Sequence, residues 1–214
     1  MSRFFATFFI IMIVIGWYAY ERGKATRKAR QISENFWALE QKANSTRKKP
    51  MDDLTKISIP LERLPLEEHP SLAAKEYQEL LVNLSTMDII NLTGISNTDL
   101  KLSYGAPNFP YLSQCDQNFT ELVRCLNQWA KTLLAENKPS QAQTVLEYAV
   151  SIHSDISTTY DMLAKLYIEQ KASDKILKLI DIAEQLETLL KPQIVKKLEE
   201  AYVLSGAGSF DSIL

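Results

Sequence analysis

A 34-residue spacing relates two stretches in the second half of this chain of 214 residues. When residues 123–156 are laid over residues 157–190, small and large apolar side chains fall at the same places. Each stretch holds two apolar stripes of helical periodicity, separated by a short polar turn. A single helical hairpin cannot bury both of its apolar faces, so the spacing predicts hairpins that stack on one another. The matched core positions are Leu126 and Tyr160, Trp129 and Leu163, Ala130 and Ala164, Leu133 and Tyr167, Leu146 and Ile180, and Ala149 and Ala183.

This pattern resembles the tetratricopeptide repeat, which has the same period. Ala130 and Ala164 match the small residue at which the two helices of a repeat cross closely. Leu133 and Tyr167 match the large residue one turn later. The two units cover about a third of the chain. The resemblance implies a right-handed solenoid of helical hairpins whose concave surface accepts a protein or peptide partner.

The match to the family has two departures. Ile176 stands where the family has a small residue early in the second helix, and Ser154 and Thr188 replace the proline that commonly ends each repeat. An unrelated helical bundle that matches by coincidence is therefore the alternative. Stacks of this kind usually need three or more units, so helices at residues 70–86 and 192–204 are expected to complete the stack at its two ends.

A run of 17 uncharged residues, Phe4 to Tyr20, precedes a strongly basic segment. As a helix this run would be about 25 Å long, the lower limit for a bilayer core of about 30 Å. Trp17, Tyr18 and Tyr20 gather at one end of the run, as aromatic residues do at a membrane interface. We therefore predict one transmembrane helix over Phe4 to Tyr20. A cleaved signal peptide is the alternative, although the run lacks a small-residue cleavage site.

The charge distribution orients this predicted helix. Residues 1–50 carry a net charge of +7, and the rest of the chain carries −9. Five basic residues follow the apolar run and only Arg3 precedes it. Since basic residues stay on the cytoplasmic side, the amino terminus is expected outside and the body in the cytoplasm, at a bacterial plasma membrane. The acidic body argues against nucleic-acid binding, which requires a basic face.

The expected fold class is all-α, a transmembrane helix followed by a short right-handed solenoid that resembles tetratricopeptide repeats. Between the two, apolar residues recur at steps of three and four and predict a helix that fades near Asn44. These residues are Ala25, Ala29, Ile32, Phe36, Leu39 and Ala43. The predicted parts are a transmembrane anchor at 1–21, a basic helix and linker at 22–56, an extended segment with one helix and an irregular connector at 57–114, helical repeats with a cap helix at 115–204, and a disordered tail at 205–214.

No phosphate-binding loop or nucleophile motif occurs in the sequence, so we expect neither an enzyme nor a cofactor. Cys115, Cys125, His69 and His153 lack companions at metal-ligand spacing, so no metal site is expected. A reactive Cys115 near a helix N-terminus stays open as an alternative. An enzyme would need a polar pocket between residues 87–114 and the repeats.

The predicted function is a membrane-tethered adaptor that binds a protein or peptide partner at the cytoplasmic face. In tetratricopeptide repeats the first helix of each unit forms the groove. The resemblance therefore implies groove candidates at Arg124, Asn127, Lys131, Asp161 and Lys165. The alternative is a structural or assembly subunit of a membrane protein complex, acting through its outer face or by self-association.

Overall fold

The computed structural model describes the backbone of residues 2–206 and the side chains of residue 12 and residues 14–206. Over this range the chain is all-α and has no strand. Most of the predicted tail, from residue 207 onward, lies outside the described residues. The helices are α1 (Ser2–Asn44), α2 (Leu72–Leu84), α3 (Asn97–Tyr104), α4 (Phe109–Ala135), α5 (Pro139–Ser151), α6 (Ser157–Glu169), α7 (Ser173–Glu184) and α8 (Lys191–Leu204), with short 3₁₀ turns at Leu61–Arg63 and Ala106–Asn108.

The chain divides into two compact units, each built from two separate stretches. Unit 1 comprises Met1–Lys49 and Ser96–Phe109, and unit 2 comprises Pro50–Ile95 and Pro110–Leu214. The chain therefore leaves unit 1 after α1, builds the first part of unit 2, and returns to unit 1 for α3.

Unit 1 is held together where the end of α1 meets α3. Ala43 of α1 and Leu100 of α3 are both buried. Gly105 ends α3 with a φ of 91°, in the region that favours glycine, and a Cβ at this position would overlap the carbonyl oxygen of Arg47. The side-chain amide of Asn108 donates 2.8–2.9 Å hydrogen bonds to the carbonyls of Tyr104 and Lys49, which fixes the returning chain.

The structure contradicts the predicted transmembrane helix. In the part of the chain that the structure describes, no helix is both long enough and apolar enough to cross a membrane. Phe4 to Tyr20 forms instead the beginning of the 43-residue helix α1, which continues without a break into charged residues from Glu21 onward. The localisation inferred from the flanking charges stays a prediction.

The core of unit 2 lies between the helices of its hairpins. Trp129 and Leu126 of α4 are fully buried, and so is Leu146 of α5. All twelve positions matched by the 34-residue spacing are buried: Leu126, Trp129, Ala130, Leu133, Leu146, Ala149, Tyr160, Leu163, Ala164, Tyr167, Ile180 and Ala183. The apolar stripes of α4 to α8 therefore share one core.

The turns inside the two hairpins are the same in backbone conformation. Asn137 and Lys171 stand 34 residues apart and adopt left-handed φ values of 57° and 54°. In each turn the next amide N–H donates a 2.9 Å hydrogen bond back to the carbonyl of Leu133 or Tyr167. This is the Schellman arrangement that ends many helices. The polar turns predicted from the sequence thus close both hairpins with the same backbone conformation. Membership of the tetratricopeptide family stays a prediction.

An ionic cluster attaches the extended segment before α2 to the first hairpin. Lys138 lies 2.8 Å from a carboxylate oxygen of Glu67 and 2.9 Å from one of Glu136. Ser71 caps the N-terminus of α2 by accepting from the amide of Ala74, and it also donates to Glu136. The cluster stabilises α2 against the turn between α4 and α5.

Candidate partner-binding groove

The five predicted groove residues do not all reach the surface. Arg124 and Lys131 of α4 are exposed, and so is Lys165 of α6. Asn127, in contrast, is only 3% exposed. Its side-chain amide donates to the hydroxyls of Thr158 and Thr159 at 3.0 and 2.9 Å. Asn127 therefore ties α4 to the beginning of α6 and has no free face for a partner.

Arg124 lies between two cavities of unit 2. One, of about 510 Å³, is formed by α2 and α4 and has Tyr77, Leu80 and Cys125 in its lining. The other, of about 330 Å³, is formed by α4 and the beginning of α6, and Ser157 lines it. Arg124 borders both, so a ligand in either cavity would meet its guanidinium group.

A third cavity, of about 260 Å³, lies between α6 and α8. Its interior is apolar and includes Ala164, Leu198 and Ala201. Ser157 borders this cavity as well as the preceding one. The three cavities are therefore consecutive, and we refer to them together as the α4–α6–α8 groove. Charged groups line the third cavity at Asp161, Lys165, Lys197 and Glu200.

The groove is lined by four acidic residues, Glu121, Asp155, Asp161 and Glu200, as well as by three basic ones. Lys165 and Asp161 form an i,i+4 ion pair at 3.0 Å, with 67% and 38% of their side chains exposed. An ion pair this exposed contributes little to stability, so Lys165 can exchange it for a carboxylate of a partner. Arg124, Lys165 and Lys197 thus place three cations along a groove in the acidic part of the chain. Lys131 is exposed farther along α4 and borders none of the three cavities.

Sequence reasoning missed the contribution of α8. The interpretation of this helix as a cap left out Lys197, Glu200 and Leu204, which border the third cavity. The repeat spacing could have revealed this role, because α8 begins at Lys191, 34 residues after α6 begins at Ser157. One more step of the repeat spacing places α8 as a further first helix, on the same side as α4 and α6.

A fourth cavity, of about 280 Å³, is polar and joins residues 91–95 to the turns of the repeats. His153, Asp155 and Glu187 are among its lining residues. The side chain of Asn91 faces the carbonyls of Ile152 and His153 at 3.3 and 3.5 Å and holds the segment against the end of α5. In the residues that the structure describes, no group of three potential metal ligands is close enough to hold an ion. The hydrogen bonds of Asn91 in this cavity connect residues 91–95 to the end of α5.

The two cysteines lie inside helices, because α4 begins at Phe109, earlier than the sequence suggested. Cys115 is buried in the interior of α4 and not at its N-terminus, and burial raises the pKa of its thiol. Burial raises the pKa of Cys125 to about 12, and its thiol donates to the carbonyl of Tyr77. Both thiols thus stay protonated at neutral pH, which does not favour a nucleophilic role.

Comparison of the chain with models of protein families, with curated proteins and with solved structures gives no match. The α4–α6–α8 groove is therefore the feature that supports a function. Its consecutive cavities, apolar interior and charged rim are properties typical of a binding surface.

Proposed function

We propose that this protein binds a segment of another protein in the α4–α6–α8 groove. The observation that supports this is the row of three cavities across α4, α6 and α8, with Arg124 and Ser157 each shared by two neighbours. A single extended or helical segment could occupy all three at once. Binding of a peptide in a groove between repeated helices needs such continuity.

The cations of the groove favour a partner segment that places carboxylates beside an apolar anchor. The cavity between α6 and α8 is lined by Ile194, Leu198 and Ala164, and it offers a place for one large apolar side chain. Lys165 and Lys197 border this cavity and would meet carboxylates beside the anchor. Apolar anchors in desolvated pockets carry most of the affinity of such contacts, and charges at the rim set specificity and association rate.

The test is a peptide selection with the full chain as bait. Random peptides displayed on phage are selected, and the affinity of the selected peptides is measured by fluorescence anisotropy. Aspartate or glutamate beside a leucine, phenylalanine or tryptophan is the expected shared feature. Replacing Lys165 and Lys197 together by glutamate should weaken binding about tenfold or more, because attraction at the rim becomes repulsion.

The matched control changes the charge by the same amount elsewhere. Lys178→Glu with Lys196→Glu alters exposed residues of α7 and α8 that border none of the three groove cavities. This variant should bind the selected peptides as the original chain does. Equal affinity of the groove variant and the original chain, or an equal loss in the control, would rule out the groove.

A further inference from the structure

A seam of apolar residues with alternating steps of three and four runs along helix α1. Between Ile15 and Ala43, every position reached by these steps holds an apolar residue except position 22, which holds Arg22. An average step of 3.5 residues is the repeat of a coiled coil, in which two helices keep one seam in contact. The seam consists of Ile15, Tyr18, Ala25, Ala29, Ile32, Phe36, Leu39 and Ala43.

Most of this seam is uncovered. Ile32, Phe36 and Leu39 are 61%, 52% and 44% exposed. Only the last member, Ala43, is buried, where α3 packs against the end of α1. The seam therefore continues an existing helix contact along a helix whose residues 14–39 are all exposed. Helices in proteins gain most of their stability from the packing of an apolar face, so an uncovered seam points to a further helix.

The charges of α1 leave the seam accessible to a second helix of the same sequence. Lys24, Arg27 and Arg30 occupy positions of the seven-residue repeat that face away from the seam. Arg30 is paired on this outer side with Glu34 at 2.8 Å. The positions directly beside the seam are uncharged or of mixed sign, so two copies would not repel one another there: Glu21, Thr26, Lys28, Ser33, Asn35, Glu40 and Lys42.

We infer that α1 pairs with α1 of a second copy of this chain, as a two-stranded coiled coil along this seam. Ile32 and Phe36 form the centre of the contact, and the alanines at residues 25 and 29 allow the helices to approach closely. A polar residue at one core position, here Arg22, is compatible with two-stranded pairing and restricts the register. The dimer would carry two copies of unit 2. This inference is independent of the proposed binding groove.

The test is the molar mass of the full chain, measured by sedimentation equilibrium over a wide range of concentration. We expect the mass of two copies for the original chain. Ile32→Glu with Phe36→Glu introduces charge into the seam and should give the mass of one copy at the same concentrations. Its circular dichroism should retain the signal of the unit 2 helices, which shows that the chain has not unfolded.

The matched control places the same charges on the outer side of α1. Gln31→Glu with Trp37→Glu changes residues outside the seam, and Trp37 is as exposed as the seam residues, at 67%. This control should keep the mass of two copies. A monomeric original chain at all concentrations would overturn the inference, and so would a control that dissociates as readily as the seam variant.

Discussion

Three residues with side chains adopt the left-handed conformation at helix ends of unit 2. They are Asn137 after α4, His153 after α5 and Lys171 after α6, with φ values between 54° and 58°. In the turn after α6, this conformation lets the amide of Ala172 reach the carbonyl of Tyr167. The price in free energy is about 1–2 kcal/mol for a residue with a Cβ. Each of these turns is therefore more strained than its hydrogen bonds alone suggest.

Lys171→Gly should stabilise the protein by roughly 1 kcal/mol, because glycine adopts this conformation without a steric cost. The gain is reduced by the greater freedom of glycine in the unfolded chain. Urea unfolding, followed by circular dichroism, measures this change in the free energy of unfolding. Lys171→Ala is the control and should stay close to the original stability, since alanine keeps the Cβ. A glycine variant no more stable than the alanine variant would contradict this explanation of the turn.

At the scale of elements, the contact between the segment before α2 and the first hairpin depends on ionisation. Hydrogen bonds from Lys138 hold the pKa of Glu67 below its usual value. Hydrogen bonds from Ser71 and Lys138 do the same for Glu136. A carboxyl group with a lowered pKa in the folded state stabilises that state above the unfolded pKa. The contribution is lost as the pH falls through the folded pKa.

Replacement of Lys138 by glutamine should make the protein less sensitive to acid between about pH 5 and pH 3. The measurement is the urea midpoint of the original chain and the variant across this range. The difference between the two midpoints should be largest at neutral pH and shrink as the glutamates become protonated. Burial raises the pKa of Asp116, so this residue changes stability with pH in the opposite direction to Glu67 and Glu136. Asp116 is present in both proteins, so its effect cancels in the difference between the two midpoints. A difference that is constant with pH would contradict the ionic role of the cluster.

The helices themselves could be predicted from the sequence because their periodicity is local. The stripe of Ala130, Leu133 and their neighbours indicates α4 and its partner without knowledge of any distant contact. The residues at which the helices begin and end were harder to predict from the sequence. α4 begins at Phe109, because Pro110 is tolerated in the first turn of a helix and the apolar side chains that follow it pack inward. The local sequence around Pro107 and Pro110 favours an open connector equally well.

At the scale of the whole molecule, the charge of the chain is divided between its parts. The residues after 50 carry a net charge of −9, and yet the α4–α6–α8 groove contains Arg124, Lys165 and Lys197. Four acidic residues also line the groove, so its cations attract carboxylates at short range and do not form a net basic patch. The proposed binding should therefore depend on salt.

The affinity for a selected acidic peptide should fall as sodium chloride rises from about 0.1 M to about 1 M, since the Debye length shortens from about 10 Å to about 3 Å. Fluorescence anisotropy with the full chain measures this directly. A peptide whose acidic residues are replaced by their amides should bind more weakly and show little dependence on salt. An acidic peptide whose affinity is unaffected by salt would show that Arg124, Lys165 and Lys197 take no part.

By itself the sequence determined the all-α class, the 34-residue spacing of the two hairpins and the apolar positions of their core. These are consequences of local periodicity, which each stretch of chain expresses on its own. Tertiary structure alone decided that Asn127 is buried by its bonds to α6, that α8 joins the groove, and that the chain returns to α1 through α3. Those outcomes depend on which distant surfaces meet, and helical periodicity carries no information about the partner that a face will find.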